Sequence, residues 1–183
     1  IRVRLGIERL WLFHRMANTD EFVVQTPTMK NLLAVRTQGR VPMRVLPFMT
    51  ESSGYVRNVA QVTAGKKESC EFFYVASGET HKNHRRMIEA WQLLSKDGLF
   101  PSLRLTLDET HFSTLCRDIE EICQHHGLKV KNMGKLSHND VLAHYKEVDA
   151  LIYSSTFESF GLPLIEARQA GLPILASELD YVR

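Results

Sequence analysis

The chain has 183 residues, 44% of them hydrophobic and 24% charged, with a net charge of +2 at pH 7. That length carries one domain with a sizeable core, or one domain and a piece of a second. A balance so near neutral gives no reason to expect nucleic acid, no apolar run reaches the ~20 residues of a membrane span, and the three cysteines, Cys70, Cys116 and Cys123, form no paired framework.

Phe22-Val23-Val24-Gln25 reads as a strand. Thr26 and Pro27 then look like the N-cap and first residue of a helix that passes Leu32 and Leu33 and ends near Gly39. Val45-Leu46-Pro47 is the next strand. Residues 49–70 are polar and weakly patterned, as a linker is. From Glu71 the order becomes regular. Phe72–Ala76 is a short apolar run between turn residues, so a buried strand. A helix over 83–97 places Met87, Ile88, Trp91 and Leu94 on one face, and Gly98 stops it. Leu103, Leu105 and Leu107 alternate with Arg104 and Thr106, the pattern of a strand with one more polar face. A helix over 110–126 carries an apolar stripe at 112, 115, 116, 119, 122 and 123, which assigns Cys116 and Cys123 to packing; Gly127 closes it. Lys129–Met133 is a third strand. Ser137-His138-Asn139-Asp140 opens a helix as a capping box and leads to Val141, Leu142 and Tyr145. Ala150–Tyr153 is a buried strand, a helix follows from Pro163 to about Ala170, and Ile174–Ala176 is a last strand.

Five strands alternating with four helices predict an α/β fold, a doubly wound parallel sheet with right-handed crossovers. Ligands of such sheets bind beyond the carboxyl ends of the strands. The loops near 77–82, 134–137 and 154–162 all lie at such ends, so three loops converge on one crevice. The opening at Ile1 without an initiator Met, and the close just after a strand, read as a piece of a longer protein.

The segment Glu158-Ser159-Phe160-Gly161-Leu162-Pro163-Leu164-Ile165-Glu166 sits in the last of these loops and the helix after it. Glu158 lies in the loop and Glu166 one turn inside the helix, whose side chains lean toward its N-terminus. Both carboxylates can face one crevice, beside helix N–H groups suited to an anion. Read by themselves, Glu158 is equally a solvated loop carboxylate and Glu166 a first-turn residue complementing the helix dipole.

Glu158 and Glu166, embedded in Ser155-Thr156-Phe157-Glu158-Ser159-Phe160-Gly161-Leu162-Pro163-Leu164-Ile165-Glu166-Ala167, resemble the E-x7-E signature of retaining GT-B glycosyltransferases, particularly glycosyltransferase family 4 (group 1). The resemblance implies that residues 71–183 are the C-terminal, Rossmann-like nucleotide-sugar lobe, incomplete at its end, and that residues 1–48 are the last piece of the acceptor-side lobe. It implies transfer of a sugar from a nucleotide-diphosphate sugar to a glycan or lipid-linked acceptor, as in polysaccharide or lipopolysaccharide biosynthesis. It implies a cytoplasmic enzyme able to work at the inner face of the membrane, with peripheral association through the lobe outside this chain, and with this piece inactive in transfer by itself.

The same resemblance distributes roles. Ala76-Ser77-Gly78-Glu79-Thr80-His81-Lys82-Asn83 matches the family's Gly-Arg-x4-Lys-Asn, which makes Lys82 a diphosphate ligand. Ser77 stands where the family has Arg, and it and Gly78 offer a hydroxyl and close backbone N–H groups instead. Without the family pattern Lys82 reads as a solvated helix-start residue. Glu166 is expected on the ribose hydroxyls, since one carboxylate accepts from both members of a diol. Glu158 is expected at the donor sugar, orienting hydroxyls or steadying developing positive charge, and is the catalytic candidate. Phe160, Gly161 and Leu162 present backbone N–H groups to sugar and phosphate. Lys135 and Leu136 border the base.

No Walker loop, G-x-G-x-x-G or Asp-x-Asp sequence occurs. His81, His84, His125 and His126 lack the partners and spacing of a metal site. No metal and no cofactor is therefore expected, with Lys82 and helix N–H groups neutralising the diphosphate, and no nucleic-acid partner. The alternatives are another sugar-nucleotide enzyme of the same fold, an epimerase or a phosphorylase, and a catalytically silent nucleotide-binding lobe.

Overall fold

The structure is a computed structural model and describes residues 2–46, 70–179 and 182. Residues 49–69 of the expected 49–70 linker, and Pro47 of the second predicted strand, lie outside the described residues. The chain divides into two compact units, the first over Ile1–Glu51 and the second over Ser52–Val182.

The first unit opens with helix α1 (Arg2–Arg15), which the sequence pattern did not reveal. Val3, Leu5 and Ile7 alternate as in a strand, while Ile7, Leu10, Trp11 and His14 follow helical spacing, so the two periods compete. A 3-10 turn over Met16–Asn18 leads to β1 (Phe22–Val24), α2 (Pro27–Thr37) and β2 (Met43–Val45). The Thr26 side chain accepts the Met29 N–H at 3.2 Å, and Pro27 starts the helix, as expected. Gln38 ends it in a left-handed conformation, φ 55°. β1 and β2 pair in parallel with Phe22 opposite Met43. This register puts the second strand two residues earlier than the expected Val45–Pro47, and Leu46 donates the closing bond to Val24 at 2.8 Å.

The second unit runs β3 (Glu71–Tyr74), α3 (His84–Lys96), β4 (Ser102–Leu105), α4 (Glu109–His126), β5 (Val130–Asn132), α5 (His138–His144), β6 (Ala150–Tyr153), α6 (Leu162–Gln169) and β7 (Ile174–Ala176). All five strands are parallel, in the order β5-β4-β3-β6-β7. The chain winds one way from β3 through β5 and the other way from β6 to β7. The switch point therefore falls between β3 and β6, where an open α/β sheet leaves its ligand crevice.

Strands β3 and β4 end earlier than their apolar runs, where side chains take over the backbone bonds. The Ala76 N–H goes to Thr106 Oγ1 at 3.1 Å, and the Leu107 N–H to Asn132 Oδ1 at 2.9 Å. Phe73, Tyr74, Leu103, Leu105 and Leu151 are fully enclosed, with Met87, Ile88, Trp91, Ile119, Val141 and Ala167 of the helices packed over them. Arg104, expected on the more polar face of its strand, is held there in an ion cluster. It clamps Glu71 at 2.9 and 3.0 Å and reaches Glu147 at 2.6 Å. Cys123 is buried, and burial pushes its thiol up to about 11, which leaves it inert as the packing assignment requires. Helix α6 starts at Leu162, not at Pro163. Gly161, at φ 79°, turns the chain into the helix, and Pro163 in the second position gives up no helical bond because that N–H is also an orphan.

Candidate functional site

The site is assembled where the loop after β3 meets the loop after β6. Hydrogen bonds stitch the two loops together. His81 C=O accepts the Thr156 N–H at 2.8 Å, Thr156 Oγ1 at 3.1 Å and Ser155 Oγ at 3.2 Å. Lys82 C=O accepts Ser154 Oγ at 3.3 Å. Asn83 Nδ2 donates to Ser154 C=O at 3.2 Å. Asn83 itself adopts a left-handed conformation, φ 62°, which asparagine tolerates better than most residues. It therefore turns the 3-10 segment Thr80–Lys82 into α3 while its side chain grips the neighbouring loop. Tyr74 also donates its hydroxyl to the Lys82 carbonyl.

This stitching presents Lys82 to Glu158. The Lys82 ammonium lies 2.5 Å from Glu158 Oε1, and the Tyr153 hydroxyl donates to the same oxygen at 2.9 Å. Glu158 is 9% exposed and Tyr153 1%. Burial raises the Glu158 pKa, but hydrogen bonds from Lys82, Ser155 and Tyr153 outweigh it, and the carboxyl sits below its ordinary value. The site thus holds a buried, ionised carboxylate against an ammonium with further protons to offer. Glu166, 8% exposed in the first turns of α6, accepts from the buried Tyr145 hydroxyl at 3.1 Å. Its other oxygen lies 3.4 Å from Nδ1 of the exposed His138.

The remaining expected residues fall as follows. Gly161 is buried at the α6 entry with Phe160 half-buried before it and Leu162 half-exposed after it, so Leu162 is not a core residue. Ser77 is exposed, and its hydroxyl is spent on the Glu79 carboxylate. Gly78 lies directly under the Phe112 ring; a Cβ there would meet ring carbon Cγ at 2.4 Å. Phe112 itself leaves the helical backbone region inside α4. Lys135 and Leu136 line a cavity of about 420 Å³ together with Ser77, Thr106 and Phe112. A larger cleft of about 690 Å³ runs over α4 and β5 past Cys116 and Cys123. Neither cavity is lined by Lys82, Glu158 or Glu166, and the larger one shares no residue with the expected site. His84, next to Lys82, is buried with neither ring nitrogen bonded, and burial with the Lys82 charge lowers it to about 4. Among the described residues no group of three His, Cys, Asp or Glu side chains is placed to hold a metal ion, and no helix is long and apolar enough to cross a membrane.

Lys82, Glu158 and Glu166 stand out in the sequence by their motifs, whereas Tyr153, Tyr145 and His138 carry no motif that marks them as site residues, and Asn83 closes the Lys82 motif with no role of its own assigned by it. Both tyrosines sit on apolar faces and read as packing. The available signal was that a buried phenol needs a hydrogen-bond partner.

The profile of the family described as glycosyl transferases group 1 matches residues 57–183. The serotype-specific mannosyltransferase WbdA of Escherichia coli is 29% identical over 136 residues, covering 72% of this chain and 16% of that protein. The solved glycosyltransferase from Rickettsia africae superposes with a TM-score of 0.68 at 16% identity, covering 93% of this chain and 48% of the other. Anabaena Alr3699/HepE, solved with UDP and glucose, superposes with a TM-score of 0.63 at 16% identity, covering 87% and 44%. The chain thus spans about a sixth of the curated relative and under half of each of these two structures.

Proposed function

This chain belongs to the group 1 glycosyl transferase family, and on that premise we propose that it is the donor-binding lobe of a retaining glycosyltransferase of family 4. The whole protein moves a sugar from a nucleotide-diphosphate sugar to a glycan or lipid-linked acceptor at the inner face of the membrane. The observation that carries this reading is the Lys82–Glu158 contact at the switch point of the sheet, with Glu166 one helix entry away.

Lys82 and the backbone around Ser77–Gly78 and Phe160–Leu162 hold the diphosphate, Glu166 the ribose diol, Glu158 the donor sugar, and Lys135 with Leu136 the base. No metal is required, because the Lys82 ammonium and helix N–H groups neutralise the diphosphate. The acceptor oxygen bonds to the anomeric carbon as the bond to the leaving phosphate breaks, and that phosphate takes the acceptor proton on the same face. The lobe contributes positioning and charge stabilisation. The relatives' printed functions support the reading: WbdA is a mannosyltransferase, and HepE was solved with UDP and glucose. A second reading, a silent nucleotide-binding lobe, is favoured by Ser77, which replaces a cation with a hydroxyl already spent on Glu79.

Calorimetric titration with GDP, UDP and ADP tests both. Glu166→Ala weakens the bare diphosphate by about 1.5–3 kcal/mol, the worth of charge-assisted bonds to the diol. Glu158→Ala leaves that affinity nearly unchanged but abolishes most transfer by the full-length enzyme. Equal losses in both mutants refute the division of roles, and full transfer by Glu158→Ala refutes its catalytic part.

A further inference from the structure

Glu166 belongs to α6, yet the groups beside its carboxylate come from α5. That seven-residue helix reaches the carboxylate from both ends. Tyr145 closes α5 at its C-terminal end and is 2% exposed. Its hydroxyl lies 3.1 Å from Glu166 Oε2 and 3.5 Å from the Pro163 carbonyl. One phenol has one proton, and the shorter contact to a full charge takes it. Burial, with the Glu166 charge beside it, drives the Tyr145 ionisation far above the ordinary phenol range, so the hydroxyl stays a donor at any working pH. His138, the first residue of α5, sits on the other side with its Nδ1 3.4 Å from Oε1, and it is 64% exposed. One oxygen of the carboxylate is thus tied to the protein interior, while the other borders an open, polar edge.

We propose that Tyr145 is a positioning residue of the donor site, whose hydroxyl fixes the Glu166 carboxylate so that Oε1 and the remaining lone pair of Oε2 meet the two ribose hydroxyls. The inference rests on the reading of Glu166 as the ribose ligand. A glutamate turns about three side-chain bonds, and a diol needs both of its acceptors in one plane. A carboxylate without its interior anchor swings toward water and offers the diol one bond at a time.

The test is a ratio. GDP, UDP and ADP are titrated into the chain, and the tightest is compared with its 2′,3′-dideoxy counterpart. Wild type prefers the ribose form at least tenfold, and Glu166→Ala abolishes the preference. Tyr145→Phe, checked for folding by circular dichroism, loses at least two thirds of the preference while its affinity for the dideoxy form stays as in wild type. Glu166→Asp gives the same loss without touching the Tyr145 packing, because it keeps the charge and withdraws the carboxylate from the hydroxyl. A purely structural role for Tyr145 would weaken both nucleotides alike. If Tyr145→Phe or Glu166→Asp keeps the full wild-type ratio while Glu166→Ala loses it, the inference alone is overturned. If wild type binds none of the three diphosphates, or Glu166→Ala keeps the preference, the reading of the site is overturned and this inference with it.

Discussion

Lys82 Nζ and Glu158 Oε1 lie 2.5 Å apart across 76 positions of sequence. Their side chains are 14% and 9% exposed, so neither charge has much water to fall back on. Removing one member of such a pair strands the other. Lys82→Met is expected to cost about 2–3 kcal/mol, below the ~3–5 kcal/mol of a fully buried pair because the Tyr153 hydroxyl remains on Glu158. Glu158→Gln with Lys82→Met should cost less than the sum of the two, with a coupling of at least about 1 kcal/mol. Urea unfolding of the four proteins measures it, and additive costs would refute the pair. The Glu158 carboxyl is held below its ordinary value, so its contribution is present above the unfolded pKa of about 4.3 and is lost as pH falls through the lower folded value.

His84 predicts a second, separate pH dependence. Its ring tilts against Tyr74 with centroids 4.9 Å apart, and its folded pKa is about 4 against 6.5 for the free side chain. Between those values the unfolded chain takes up a proton that the folded one refuses, so stability rises with pH over this window and falls on acidification. The full effect is about 3 kcal/mol. His84→Phe keeps the ring contact and removes the titration. Its stability should change less than wild type between pH 7 and pH 4, and parallel curves for the two proteins would contradict the assignment.

Gly78 and Phe112 form a steric lock. The Gly78 backbone is not left-handed, so alanine is allowed there conformationally, but its Cβ would sit 2.4 Å from the Phe112 ring and 2.9 Å from Phe112 Cβ. The ring cannot swing aside without moving α4. Gly78→Ala should therefore cost about 1–3 kcal/mol. The same change in a Phe112→Ala background should cost less than half as much. Thermal unfolding of both backgrounds decides, and equal costs would show that Phe112 is not the obstacle.

Binding of the nucleoside diphosphate should not depend on a divalent ion. Affinities in excess EDTA and in excess Mg²⁺ or Mn²⁺ are expected to agree within a factor of three. A tenfold loss in EDTA, about 1.4 kcal/mol, would assign part of the diphosphate charge to a metal and not to Lys82.

The regular part of the chain was legible because its signals are local. Apolar runs of four to six residues, helical stripes closed by glycines, and a capping box at Ser137 with Asp140 all act within a turn or two, and each corresponds to an element between Glu71 and Ala176. The strand–loop–helix setting of Glu158 and Glu166 was legible for the same reason, from the apolar run at Ala150–Tyr153 and from Pro163. Helix α1 was not legible because its apolar residues fit two periods at once.

What joins the site lay beyond that range. No periodicity states that β3 lies beside β6, yet this adjacency brings the 81–83 loop against the 154–156 loop and sets Lys82 on Glu158. Nor does any local pattern assign the phenols of Tyr145 and Tyr153 to Glu166 and Glu158, since a tyrosine on an apolar face packs the same way whichever acceptor it finds. The alternation of elements and the chemistry at each loop follow from residue order alone, because backbone propensity and hydrophobic burial act on neighbours. Strand order and hydrogen-bond partners were decided by the tertiary structure, because a buried charge or hydroxyl must be matched by whichever group the closed sheet delivers to it.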